Sequence, residues 1–174
     1  MSVTSTKTRL DVTFRQPRVT DGAQIWSLVK KTGVLDLNSE YCYLMLSAYF
    51  AETCIVSEFE DRIVGYVSAF RQPDRPEVLF VWQVAVDESM RGNGIGPRML
   101  SELVQRDASR GVRSIETTVS PSNAASEAMF RKFARSHNAR ISIVEGFSGH
   151  LFASKSHEEE PLLRIGPIHR LARV

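Results

Sequence analysis

The chain has 174 residues, long enough for one well-buried core and short for two, so residues 11–174 are expected to form a single domain. With 43% hydrophobic and 24% charged residues it falls in the ordinary soluble globular class, and a formal charge of +2 gives no support for a nucleic-acid or membrane partner while leaving small anionic ligands open. The two cysteines, Cys42 and Cys54, cannot build a disulfide framework and show no metal-ligand spacing; buried thiols in a reducing cytoplasm are the expectation.

Residues 1–10 are polar, lack the apolar core of a signal peptide and are expected to be a disordered tail. No apolar run reaches the ~18 residues of a membrane span. Val12 to Gln16 predicts a first strand. Thr20 can cap a helix carrying Ile25, Leu28 and Val29 on one face and ending at Gly33; a second helix follows Asn38 and Ser39 to about Ala51 and is apolar on every face. Thr53 to Phe59 and Ile63 to Phe70 predict an antiparallel hairpin about Glu60-Asp61-Arg62, and Leu79 to Val86 a central strand. A helix around Pro97 should place Leu100, Leu103, Val104 and Ala108 on one face until Gly111, with Pro97 at its first position. Ser114 to Val119, a helix from Ser122 to Ala134, and a terminal pair at Arg140 to Val144 and Leu162 to Pro167 complete the chain, with two parallel pairings expected from crossovers through the later helices. The class is α+β, a mixed sheet flanked by about four helices, without internal repeats.

The most informative stretch is Arg91-Gly92-Asn93-Gly94-Ile95-Gly96, which follows the central strand and opens a helix. The first amides of a helix have no intrahelical partner and carry the positive end of its dipole, so an anion can approach wherever side chains are absent. The dinucleotide fingerprint fails here, because Pro97 occupies the third glycine position. A Walker loop fails too, since no lysine lies between Lys31 and Lys132. What remains is Arg-x-x-Gly-x-Gly, against the plain alternative of a glycine-rich turn between a strand and a helix. The pattern resembles the pyrophosphate loop of the GCN5-related N-acetyltransferases. That resemblance implies acetyl-CoA bound by Val84, Ala85 and Val86 on the strand, by Arg91, Gly92, Asn93, Gly94, Ile95 and Gly96 in the loop, and by Asn123, which otherwise reads as a helix cap. Arg91 or Arg98 is placed to meet phosphates. Most relatives place a tyrosine seven residues after the asparagine as the acid for the leaving thiolate; here that position is Phe130. A thiol with a pKa near ~8.5 can leave as thiolate and take its proton from solvent.

Acetyl transfer to an amine needs a neutral nitrogen, whereas a free alkyl ammonium titrates near ~10.4, so a carboxylate or a pKa-lowering site must accept its proton. A backbone N–H around Gln83 to Ala85 can stabilise the oxyanion if a bulge frees it. His137, His150, His157 and His169 all lie late in the chain, away from any nucleophile motif, which argues against covalent catalysis.

Leu35-Asp36-Leu37-Asn38-Ser39-Glu40-Tyr41-Cys42-Tyr43-Leu44, the Trp82-Gln83 pair and the segment His157 to Pro167 resemble the L-2,4-diaminobutyrate acetyltransferases of ectoine biosynthesis, from about Phe14 to Pro167. The resemblance implies a homodimer and a substrate site of Asp36, Asn38, Ser39, Tyr41, Tyr43, Trp82, His157, Glu158 and Glu160, with Glu160, Glu158 and Trp82 nearest the chemistry. Read from the residues alone, the 158–160 run suits a solvated charge cluster, Trp82 fits core packing as well as it fits a substrate contact, and Asp36 could serve as a helix cap, although Asn38 and Ser39 sit closer to the helix start. Tyr41 and Tyr43 lie two apart and cannot share a helix face, so only one is expected to reach substrate. An acetyltransferase for another small diamine or diamino acid, and an acyl-CoA-binding regulator without activity, are the alternatives.

Overall fold

Alternating apolar residues on successive strands build a sheet with two apolar faces, and two helix pairs cover them. The computed structural model describes residues 11–154 and 156–169, so the expected tail at 1–10 lies outside the described residues. The elements run β1 (Thr13–Arg15), α1 (Gly22–Thr32), α2 (Glu40–Tyr49), β2 (Ile55–Phe59), β3 (Arg62–Gln72), β4 (Arg75–Val86), α3 (Ile95–Gln105), β5 (Ser114–Thr118), α4 (Ala124–Ser136), β6 (Arg140–Phe147) and β7 (Glu160–Gly166). The strands form one sheet in the order β1-β2-β3-β4-β5-β7-β6.

On one face, Ile25, Leu28 and Val29 of α1 and Tyr43 of α2 pack against Val56, Ile63, Tyr66 and Ala85. On the other, Met99, Leu100, Leu103 and Val104 of α3 and Phe130 and Phe133 of α4 pack against Ile55, Val64, Val67, Leu79 and Ile115. Neighbouring residues such as Ile55 and Val56, or Ile63 and Val64, thus serve opposite layers, the two-residue period of a strand buried on both faces. α2 turns Tyr43, Leu46 and Ser47 inward and leaves Tyr41 and Tyr49 exposed.

Three expectations are corrected. Among the described strands only β4 and β5 pair in parallel, because β7 returns antiparallel between β5 and β6. β4 begins at Arg75, not Leu79, and forms a second hairpin with β3. α3 starts at Ile95 and ends at Gln105; Pro97 is its third residue, and Ala108 lies in a separate 3-10 turn. The position of Pro97 is still compatible with a helix, since its missing N–H falls in the first turn, where no intrahelical acceptor exists.

The sheet is split at its centre. β4 and β5 pair only at Val78, Leu79 and Phe80, opposite Ser114, Ile115 and Glu116, and the remaining residues of β4 have no strand on that side. Trp82 is the extra residue of a bulge between the pairs Ala69–Val81 and Ser68–Gln83.

Candidate active site

The split leaves a row of main-chain donors. The Gln83 N–H donates to Ser68 Oγ at 3.2 Å and the Asp87 N–H to Val64 O at 2.9 Å, so both face β3. Strand amides alternate in direction, which turns the N–H groups of Val84 and Val86 towards the open side and that of Ala85 into its pair with Tyr66. Ala85 is therefore a core residue of this strand, and its flanking valines carry the free donors. The bulge lies one residue before the segment expected for it.

The open strand leads through a 3-10 turn to the glycine loop. Gly92 and Gly94 have φ of +77° and +73°, a region where a side chain is strained. Gly94 is the N-cap of α3, and its carbonyl accepts the first helical bond from the Arg98 N–H at 3.1 Å. The Ile95 and Gly96 amides ahead of it have no helical acceptor, as an anion cradle requires. Asn93 braces the loop by donating to Met90 O at 3.1 Å. A Cβ built on Gly94 would lie 3.8 Å from Lys132 Nζ, so α4 brings a cation to the cradle. Sequence spacing does not point to Lys132, which lies 38 residues beyond Gly94; the only signal for it is its place on the helix that Asn123 caps. The Arg98 guanidinium sits 4.7 Å above the Phe14 ring, which gives it a packing partner away from the phosphate role considered for it.

Across the split, Asn123 Oδ1 accepts the Ser126 N–H at 3.1 Å, leaving the amide hydrogens of its side chain available. It lines a cavity of about 950 Å³ together with Val84, Phe130 and Ser120 on one side and Asp36, Trp82, His157, Glu158 and Glu160 on the other. Trp82 is 43% exposed on the cavity wall, so it is not a core residue. Phe130 is buried and offers no proton.

The acidic side is assembled from distant segments. Glu158 Oε2 accepts the Ser122 N–H at 3.0 Å, tying the 152–160 segment to the start of α4. His157 stacks on Phe152 with ring centroids 3.7 Å apart, and its Nε2 lies 4.0 Å from Asp36 Oδ2. Asp36 is anchored by its backbone: its carbonyl accepts from Gln83 Nε2 at 2.7 Å, while Gln83 Oε1 accepts from the Tyr43 hydroxyl at 3.2 Å. Tyr43 has no exposed surface and does not line the cavity; its hydroxyl instead holds Gln83. Tyr41 is exposed and does not line the cavity. Ser39 caps α2 by accepting the Cys42 N–H, and the Asn38 N–H donates to the Tyr43 hydroxyl at 3.4 Å; neither lines the cavity.

A buried charge cluster borders the cavity through Gln72 and Arg75. Glu116, 1% exposed on β5, accepts from Arg75, Arg164 and Gln72 at 2.7–2.9 Å. Burial alone would raise its pKa; the hydrogen bonds from Arg75, Arg164 and Gln72 outweigh it and hold the carboxyl below its usual range. Among the described residues no cluster of His, Cys, Asp and Glu could hold a metal ion, and no helix is long and apolar enough to cross a membrane.

Residues 23–134 match the model of the acetyltransferase (GNAT) family. The L-2,4-diaminobutyric acid acetyltransferase of Halalkalibacterium halodurans is 48% identical over 91% of this chain and 83% of its own length. That of Marinococcus halophilus is 46% identical over 90% of each. Among solved structures, diaminobutyrate acetyltransferase EctA from Paenibacillus lautus, in complex with its substrate L-2,4-diaminobutyric acid and coenzyme A, superposes with a TM-score of 0.87 at 48% identity, covering 91% of this chain and 96% of that one. Ard1 from Thermoplasma volcanium shares the fold alone, with a TM-score of 0.70 at 16% identity. The chain belongs to the acetyltransferase (GNAT) family, in the branch of the L-2,4-diaminobutyric acid acetyltransferases.

Proposed function

We propose that this chain transfers the acetyl group of acetyl-CoA to the γ-amine of L-2,4-diaminobutyrate, giving the Nγ-acetyl product used in ectoine formation. The observation that carries the reading is a cavity that joins Val84 on the open side of the split strand to a rim of Asp36, Glu158, Glu160 and Trp82. The likeness to EctA, which binds L-2,4-diaminobutyric acid and coenzyme A, supports both ligands.

The cofactor's pyrophosphate lies on the amides of the glycine loop, near Lys132, and its arm runs between Val84 and Asn123. The Val84 N–H stabilises the oxygen of the thioester carbonyl as it gains charge. Glu160 takes one proton from the γ-ammonium, directly or through one water; the free amine attacks the carbonyl carbon and the C–N bond forms, then the adduct nitrogen gives its second proton to water as the C–S bond breaks. The thiolate leaves without an acid at Phe130 and is protonated by solvent. Trp82 offers its ring face, and Asp36 its charge, to the ammonium groups. Glu158 is a weaker candidate for the base, because its carboxylate already holds the Ser122 amide.

Residues 11–174 act as one domain in this reading, in the reducing cytoplasm, where Cys42 and Cys54 stay free thiols. Two copies pair through exposed apolar surface such as Tyr41 and Tyr49 of α2. A mass independent of concentration at the monomer value in light scattering overturns that pairing. The catalytic reading is tested by CoA release across diaminobutyrate, ornithine and lysine: diaminobutyrate should be turned over with the highest kcat/KM. Release with none of them leaves an acyl-CoA-binding regulator, and a preference for ornithine reassigns the substrate.

A further inference from the structure

Diaminobutyrate carries a carboxylate as well as two ammonium groups, and a rim of acidic side chains would repel it unless one wall supplied a cation. The charged residues lining the cavity are Asp36, Asp74, Arg75, His157, Glu158 and Glu160. Among these described residues Arg75 alone is permanently cationic.

Its geometry is that of a prepared donor. Arg75 Nη1 donates to Glu116 Oε1 at 2.9 Å and Nη2 to Glu116 Oε2 at 2.8 Å, a bidentate pair that fixes the guanidinium plane. Nη2 also donates to Gln72 Oε1 at 2.5 Å, across the β3–β4 hairpin. The Nε hydrogen and one hydrogen of Nη1 are left over from this set, and the side chain is 43% exposed. Two guanidinium groups, Arg75 and Arg164, share the carboxylate of Glu116, and Glu77 adds a further negative charge near Arg75.

We propose that Arg75 binds the α-carboxylate of the amine substrate, positioned by the buried Glu116, and that this contact makes the enzyme select a diamino acid over a plain diamine. The assignment rests on the substrate class proposed above. The molecule is then held by charge at both poles, with ammonium groups among Asp36, Trp82 and Glu160 and the carboxylate on Arg75. The reacting nitrogen is the one farther from the carboxylate, which gives a physical origin for γ over α selectivity.

The experiment compares diaminobutyrate with 1,3-diaminopropane, its decarboxylated counterpart, in wild type, Arg75→Gln, Arg75→Lys and Arg164→Gln, by initial rates and by calorimetric binding. Wild type should favour diaminobutyrate. Arg75→Gln should lower kcat/KM for diaminobutyrate by about 30- to 300-fold, mainly through KM, while 1,3-diaminopropane stays within about threefold, so that the preference collapses. Arg75→Lys, which keeps the charge and loses the fork, should retain part of the preference. Arg164→Gln removes another partner of Glu116 from outside the cavity and should leave the preference intact. Equal losses on both amines in Arg75→Gln, or the same collapse in Arg164→Gln, overturn the assignment and leave Arg75 a structural partner of Glu116. A misfolded Arg75→Gln passes the decision to Arg75→Lys, where an unchanged ratio between the two amines overturns it. Failure of the substrate reading looks different: wild type then neither binds nor acetylates diaminobutyrate.

Discussion

The two ends of the proposed site are made of different materials. In the proposed reading the cofactor end is largely main chain, with amides on β4, a loop with two left-handed glycines and the first turn of α3, joined by the side chains of Asn123 and Lys132. The proposed acceptor half is side chain, from Asp36 in the loop before α2, Arg75 on the β3–β4 hairpin, Trp82 in the bulge, and Glu158 and Glu160 at the entry to β7, all of which line the cavity. Main-chain donors recognise a group common to every CoA ester and tolerate few changes of backbone. Side chains recognise one amine and can be exchanged one at a time, so mutations in the two halves should fail in different ways.

The largest effect is expected in the acceptor half. Glu160→Gln should lower kcat by about 10²- to 10⁴-fold and remove the acidic limb of the pH–rate profile, with cofactor affinity unchanged in calorimetry. A kcat within a factor of about two of wild type assigns the proton to another group. In the cofactor half, Gly94→Val places a branched residue at φ +73° beside the cradle and should weaken acetyl-CoA binding by about 100-fold, leaving amine binding intact. An unchanged dissociation constant for CoA would contradict the cradle.

The acceptor half should also divide into binding and chemistry. Asp36→Asn is expected to raise KM for diaminobutyrate by about 5- to 20-fold with little change in kcat, the signature of a charge felt equally in ground and transition states. Glu116 offers a sharper test in acid. Its carboxyl is held below the usual value, so its stabilisation is complete above the ordinary range near pH 4.5 and is lost as pH falls through the depressed value. Glu116→Gln should remove that acid-dependent part, read as a flatter stability curve below pH 4.5 in urea titrations. The smallest effect belongs to Lys132→Ala, about two- to fivefold in CoA affinity at low salt and fading as ionic strength rises, because the residue is exposed.

This division also explains what the sequence could reveal. Strand, glycine turn and helix start are neighbours in the chain, so the split strand's loop and the cap at Asn123 were readable from spacing. Glu116 and Arg75 are 41 residues apart and meet only because Phe80 pairs with Glu116 across the one parallel contact. Nothing local marks Glu116 as the anchor of the hairpin, and Lys132 reaches the loop only through the packing of α3 on α4. Tyr43 was misplaced for a related reason. Periodicity identified an apolar helix, but which of its faces met the sheet depended on the close approach of α1, where Leu44 already fills the space beside Gly22. The count of parallel pairs failed because an antiparallel return at β7 leaves no trace in either strand's pattern.

The split between β4 and β5 has a further consequence, for association between molecules. Unpaired strand amides are templates on which other chains add strands, and proteins ordinarily blunt them at the margin of a sheet. Here Val84 and Val86 present such an edge in the middle of one. Adding a strand between two others requires separating them by two spacings of ~4.8 Å along their whole length. A wedge that starts at a single spacing at Phe80 cannot admit one, whereas a thin linear molecule can slide in from its open end. The fold thus keeps a reactive strand edge available to a cofactor while withholding it from other polypeptides.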